Sequence, residues 1–140
     1  MKRNFIFLCA MMVLSAAAFA DQVVDPATLP AEIQTAVKTW YPDATVTFAE
    51  ADWDSYEVAL SNGAEIDFRK TGDWKQIECM AGVPAAAVPE KIAAEIAKKI
   101  PDVPVVKIEK EYRGYEVKLQ NRMELYFNEK GKLVGQKFDD

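Results

Sequence analysis

The sequence predicts an α+β fold of two layers. It reads as a tandem repeat of α–β(4) units that form antiparallel sheet, with the helices packed on one face. Three observations predict it. The chain matches itself without a gap at a spacing of 59 residues, residues 29–75 onto 88–134, with identity at 14 of 47 positions, against roughly 6% by chance at average composition. Each copy changes from a helical to a two-residue hydrophobic period. The identical pairs also include residues that set structure, among them Pro30/Pro89, Pro42/Pro101, Asn62/Asn121 and Gly72/Gly131.

In order along each copy, Pro30 and Pro89 suit a first helical turn, where a missing N–H costs nothing. Ile33, Ala36, Val37 and Trp40 recur at helical spacing, as do Ile92, Ile96 and Ile100. Tyr41-Pro42 and Ile100-Pro101 end these helices, because the residue before proline is pushed out of the helical region. Lys98 and Lys99 sit favourably at the second helix's negative end.

A strand is expected over residues 45–51 and again over 105–110. In the second copy its inward face is open between Val105/Lys107 and Val106/Ile108. Tyr56, Val58 and Leu60 then alternate with Glu57 and Ala59. Ser61-Asn62-Gly63-Ala64 reads as a tight hairpin turn with positive φ at both central residues. Ala64, Ile66 and Phe68 form the next alternation, and Thr71-Gly72 turns into a strand near residues 74–79. Tyr115, Val117 and Leu119, then Met123, Leu125 and Phe127, then residues 133–138 repeat the plan. Each copy therefore reads as a helix and about four antiparallel strands, one sheet face buried and one wet. Residues 80–87 form a Gly/Pro/Ala linker too brief for independent domains, so the two sheets should join or abut with both helices on one side.

The first 20 residues read as a secretory signal peptide: Lys2 and Arg3, an apolar run from Phe5 to Leu14, then small side chains at Ala18 and Ala20. The run is shorter than the ~20 residues needed to span a bilayer. Leu8 before Cys9 does not suit lipidation. Cleavage after Ala20 leaves residues 21–140, a single domain of two repeats (about 29–79 and 88–138) with one cysteine, Cys79, and hence no internal disulfide. Its 15 basic and 22 acidic residues give a net charge of −7, which disfavours nucleic acid and anionic membrane. A periplasmic or secreted monomer is expected, with no membrane insertion after cleavage.

The chain has no histidine, so the usual general base, the commonest zinc ligand and every Ser-His or Cys-His pairing are missing. The mature serines are Ser55 and Ser61, with no motif around either, and the glycines are isolated turn glycines. Neither an enzyme nor a cofactor is expected. Asp52-Trp53-Asp54 lacks the glycine and closing glutamate of an EF-hand loop, and reads as a solvated turn rather than a metal site. Cys79 reads as a small buried hydrophobe.

The strings LPAEI, YPDATV, YEVALSNGAEIDF and TGDW, echoed by VPEKIAAEIAKKIPDVPV and GYEVKLQNRMELYFNEKGKL, resemble the PepSY-like family, also described as β-lactamase-inhibitor-like. The resemblance covers nearly all of residues 21–140. It implies a two-layer fold with a curved antiparallel sheet and an exported bacterial setting; it carries no functional residues over. Arg122 departs from the pattern, standing where the first copy has Gly63.

The wet face supplies the candidate surface. Glu57/Glu65 and Glu116/Glu124 point outward in both copies, with Arg69, Lys118 and Arg122 expected to form cross-strand ion pairs with them. Tyr126 is out of phase with the apolar positions. Trp53 and Tyr112 are equivalent positions beside the strands that carry Glu57 and Glu116. Aromatic and charged residues on an open sheet suit a binding module, inhibitory or regulatory in role, that recognises a protein or peptide of the cell envelope. The alternatives are a small-ligand or divalent-metal sensor and a structural accessory subunit.

Overall fold

A computed structural model describes residues 21–139. The expected signal peptide, residues 1–20, lies outside the described residues. Strand β1 is Gln22–Val23. Helix α1 (Ala31–Trp40) precedes β2 (Val46–Ala51), β3 (Ser55–Leu60), β4 (Glu65–Arg69) and β5 (Trp74–Glu78). Helix α2 (Glu90–Lys99) precedes β6 (Val105–Glu111), β7 (Gly114–Leu119), β8 (Met123–Asn128) and β9 (Leu133–Phe138). The starts of α1 and α2 differ by 90 − 31 = 59, as do those of β2/β6, β3/β7 and β5/β9. Short 3₁₀ turns at Pro26–Thr28 and Ala85–Ala87 hold the same offset, so the expected linker contains structure of its own.

The strands form one nine-stranded antiparallel sheet in chain order, β1 to β9. The halves join where β5 pairs with β6 through Gln76↔Glu109, Ile77↔Ile108 and Glu78↔Lys107. The strand the sequence did not announce is β1. Two exposed residues have no periodicity to read, and Gln22 and Val23 are strand only because Ala51 and Glu50 pair with them.

Both helices end as the prolines require: Tyr41 and Ile100 leave the helical region at φ −134° and −136°. Pro30 and Pro89 are the N-cap residues and offer no capping side chain. The helices bury Ile33, Val37, Ile92 and Ile96, four residues apart in each case. These pack in one core with the inward residues of the strands, so both helices cover one face. Directly paired residues form an inward row across seven strands: Ala49, Val58, Ile66, Ile77, Ile108, Val117 and Leu125. All seven are at most 1% exposed, and each large aliphatic side chain among them is worth about 2–3 kcal/mol on burial. Cys79 is buried and free, and the Tyr41 hydroxyl donates to Gly82 O at 3.1 Å. Trp40 stacks on Phe68 with ring centroids 6.1 Å apart.

The ambiguity in β6 is resolved by a bulge between Val105 and Lys107. The extra residue lets Val105 pack on the core while Ile108 also points inward.

The hairpin turns differ from the two-residue type expected. Gly63 N–H donates to Leu60 O at 3.0 Å, and of the two central residues only Gly63 has positive φ, at 87°. This is a three-residue loop closed by a left-handed residue. The Asn62 side chain accepts from Ala64 N–H at 3.0 Å, so asparagine stabilises the turn through its side chain rather than its φ. The β4–β5, β7–β8 and β8–β9 turns repeat the device with Gly72, Arg122 and Gly131 in the left-handed position. Of the four, Arg122 alone (φ 70°) has a β-carbon there.

Candidate functional site

The face opposite the helices is open, and its composition follows from strand pairing. One step along each strand from the apolar row lies a second row of direct partners: Glu50, Glu57, Asp67, Gln76, Glu109, Glu116 and Tyr126, continuing to Gly135. Five of its members are carboxylates, spread over both halves and meeting at the β5–β6 seam. Like charges directly opposite each other on neighbouring strands destabilise a sheet, so this row runs against the needs of folding.

In the first half, Asp21, Glu50, Asp52, Ser55, Glu57, Asp67 and Lys75 line a polar cleft of about 110 Å³. Lys75 reaches it because a bulge opposite Asp67 puts an extra residue of β5 on this side. Burial raises the Glu57 carboxyl above its usual range, with Asp67, Glu50 and Glu65 adding repulsion. Asp67 is also raised, mainly by burial; Lys75 partly offsets this.

In the second half, carboxylate oxygens of Glu109, Glu111 and Glu116 all lie within 4.8 Å of one another. These are the counterparts, at 59 residues, of Glu50, Asp52 and Glu57. Burial raises the Glu116 carboxyl, and Glu124, Glu109 and Glu111 raise it further. The halves differ at the next strand, where Tyr126 takes the place of Asp67 and donates its hydroxyl to Glu124 Oε2 at 2.8 Å.

The neighbouring outward row is mixed and better compensated: Ala59, Glu65, Glu78, Lys107, Lys118, Glu124 and Lys137. The expected ion pairs are replaced by others. Lys118 pairs with Asp139 at 2.7 Å and Glu124 with Lys137 at 3.6 Å. Among the described residues neither Arg69 nor Arg122 forms an ion pair: Arg69 lies at the end of β4 opposite Ser55, and Arg122 is held in its turn. Among the described residues Glu50, Glu57, Asp67 and Glu116 form no ion pair either, and Glu109 has Lys107 at 4.0 Å.

Of the sequence candidates, Glu57, Glu116 and Tyr126 stand on the carboxylate row, and Glu65, Lys118 and Glu124 on its neighbour. Trp53 and Tyr112 are 73% and 91% exposed in the β2–β3 and β6–β7 hairpin loops. Sequence reasoning missed Glu50, Asp67, Glu109 and Glu111. The signal for two of them was present, because Glu50/Glu109 is an identical pair of the repeat.

Residues 54–135 match the model of the family described as "Putative beta-lactamase-inhibitor-like, PepSY-like". A "putative calcium-regulated periplasmic protein" from Bacteroides thetaiotaomicron is similar in structure, with a TM-score of 0.78 and 34% identity over 84% of this chain and 96% of that one. A "putative periplasmic protein from DUF2874 family" from Bacteroides vulgatus has a TM-score of 0.78 and 36% identity over 86% of this chain and 98% of its own. A third, from Bacteroides vulgatus and of unknown function, has a TM-score of 0.77 and 27% identity over 84% and 99% of the two chains. No curated protein matches the chain.

Proposed function

The chain belongs to the PepSY-like family, and from that premise we propose that it is an exported, non-catalytic binding module of the periplasm whose open sheet face takes up divalent cations, calcium foremost. The observation that carries this reading is the convergence of Glu109, Glu111 and Glu116 within 4.8 Å. Calcium takes oxygen ligands at about 2.3–2.6 Å, so two ligand oxygens on opposite sides of one ion stand about 4.8 Å apart. Burial raises Glu116 most, and a cation there would relieve the repulsion from Glu124, Glu109 and Glu111 that adds to it. The relative described as calcium-regulated supports the choice of ion.

Export is supported by the order of residues 1–20 and by the periplasmic description of two relatives. No helix among the described residues is long and apolar enough to cross a membrane. The non-catalytic reading rests on the lack of histidine and of any nucleophile in context.

The test is titration calorimetry with calcium, with magnesium for comparison. Calcium is expected to bind with Kd on the order of 10⁻⁴–10⁻³ M, the range of extracellular modules, and to raise Tm. Glu109→Gln with Glu116→Gln should abolish both effects, while Glu95→Gln, on the far helix, should leave them intact. Absence of heat and of any Tm change at millimolar calcium overturns the cation reading.

A second reading is favoured by the exposed, repeat-equivalent Trp53 and Tyr112, which rise from the hairpins beside the carboxylate row. It is a basic protein or peptide segment held on the same face, with the aromatics as anchors. Cross-linking in envelope extracts, comparing wild type with Trp53→Ala plus Tyr112→Ala, separates it from the first: an unchanged set of adducts removes it.

A further inference from the structure

The β3–β4 and β7–β8 turns are one device built twice, and the difference between them bears on covalent chemistry. Asn62 and Asn121 are repeat-equivalent, and both are exposed. Each side-chain oxygen accepts from the backbone N–H two residues on: Asn62 Oδ1 from Ala64 at 3.0 Å, Asn121 Oδ1 from Met123 at 3.1 Å. The residue after each asparagine is left-handed, with φ 87° at Gly63 and 70° at Arg122. Its N–H donates back across the turn at 3.0 Å in both halves, to Leu60 O and to Leu119 O. What differs is the side chain on that following residue, which is absent after Asn62 and long after Asn121. An asparagine holds its own amide carbon within reach of the next backbone nitrogen, and attack of that nitrogen on Cγ closes a five-membered ring. Tethering of the two groups favours the step. Access opposes it: a β-carbon on the attacking residue crowds the nitrogen, and glycine has none. A β-carbon built on Gly63 would meet nothing within 4 Å, so no neighbour covers the turn. The Ala64 N–H is already aimed at the oxygen that becomes negative as the nitrogen adds.

We propose that Asn62 is a site of spontaneous conversion to aspartate and isoaspartate, and that Asn121 is not. The Gly63 nitrogen gives its proton to solvent hydroxide and leaves Leu60 O. It bonds to Asn62 Cγ, the Cγ–Nδ2 bond breaks, and ammonia departs with a proton taken from water. The resulting cyclic imide then adds a water molecule. Opening between the nitrogen and Cγ gives aspartate. Opening between the nitrogen and the Asn62 carbonyl carbon gives isoaspartate, with the main chain then running through Cβ and Cγ. Nothing is oxidised or reduced. Either product adds a negative charge to the groove of about 280 Å³ that Asn62 lines together with Asp43. Isoaspartate also lengthens the loop that sets Ala59 opposite Glu65. The reaction does not depend on the cation reading of the open face.

The experiment is incubation of the folded, exported chain at mildly alkaline pH, with samples taken over weeks and digested for peptide mass spectrometry. Fragmentation that distinguishes aspartate from isoaspartate reads residues 62 and 121 in the same sample. Both products should accumulate at residue 62 while Asn121 stays intact. Gly63→Arg, which installs the second half's residue, should slow the reaction about tenfold or more, the scale expected when an attacking atom is held out of reach. Arg122→Gly should bring Asn121 into reaction. Should Gly63→Arg fail to fold, Gly63→Ala decides the same point, because its β-carbon has open space. Thermal melts give a second readout: the aged wild type should melt below the fresh protein, and the aged Gly63 variant should not. Equal conversion at residues 62 and 121, an unchanged rate in a folded Gly63 variant, or conversion of Asn62 only in urea would overturn the proposal.

Discussion

The two halves of the sheet share their elements at one offset, yet they part at a few positions, and each departure has a local physical meaning. Where the first half has Ser55, the second has Gly114, and a β-carbon built on Gly114 would lie 1.9 Å from Phe127 O. Where the first half closes its β3–β4 turn with Gly63, the second uses Arg122 at φ 70°. Where the first half places Asp67 on the carboxylate row, the second places Tyr126. The positions that hold the layers together stay apolar: Ile33/Ile92, Val58/Val117 and Phe68/Phe127 are identical and buried in both, and Val37/Ile96 and Ile66/Leu125 exchange one buried aliphatic residue for another. Inward positions answer to a shared core, whereas turns and the open face answer to their own surroundings.

The strongest way to break the comparison is Gly114→Ala. The obstruction is backbone, not a flexible side chain, so the variant should lose about 3 kcal/mol or fail to fold, while Ser55→Ala in the first half should stay near wild type. Urea denaturation of both decides the point; equal midpoints would show that the halves are not distinguished here. Next come Ile77→Ala and Ile108→Ala at the seam, each expected to cost about 3 kcal/mol. Because the two side chains are direct partners, the double variant should cost less than the sum; strict additivity would mean that the seam does not couple the halves. Arg122→Gly should stabilise by about 1 kcal/mol and Gly63→Arg destabilise by a similar amount, since a left-handed non-glycine residue is strained. Thermal melts of the pair check the sign.

The smallest effect is pH-dependent. Glu57, Asp67 and Glu116 have folded-state pKa values raised above the ordinary 4.5 for glutamate and 3.8 for aspartate. A raised carboxyl favours the folded state when protonated, so its penalty is absent below the unfolded pKa. The penalty grows as pH climbs through the window above it and is complete past the folded pKa. Acidification from neutral towards that window should therefore raise Tm. Glu57→Gln plus Asp67→Asn should flatten this dependence more than Glu116→Gln, because the first half carries the additional Asp67. An unchanged Tm–pH slope in both variants would remove the carboxylate row as its source.

Much of this architecture was legible because it depends on short-range rules. Proline fixed the helix ends, alternation placed Val58 and Ile66 inside, and Asn-Gly located the first hairpin. Its turn type was not legible, because Asn62 acts through its side chain, as shown by its bond to Ala64 N–H. The row from Glu50 to Glu116 was hidden for another reason. It exists only after six strands are registered against one another, and the bulges at Val105/Lys107 and Asp67/Phe68 decide which residues face out. Reading Glu57 and Glu65, on the two strands of one hairpin, as an outward acidic pair was correct for the face but assigned them to a single group. Pairing divides them between two rows, one acidic and one mixed.

The chain-order arrangement of the sheet also bears on how the molecule comes to be made. Every strand pairs with its neighbours in sequence, so most contacts close short loops and contact order is low for a sheet protein, which favours fast folding. The longest closure is between β5 and β6, across α2, and it waits only for residues up to Glu109. A polypeptide emerging N-terminus first, from a ribosome or a translocation pore, can therefore add each strand to the edge of those already formed without holding an early strand open for a late partner.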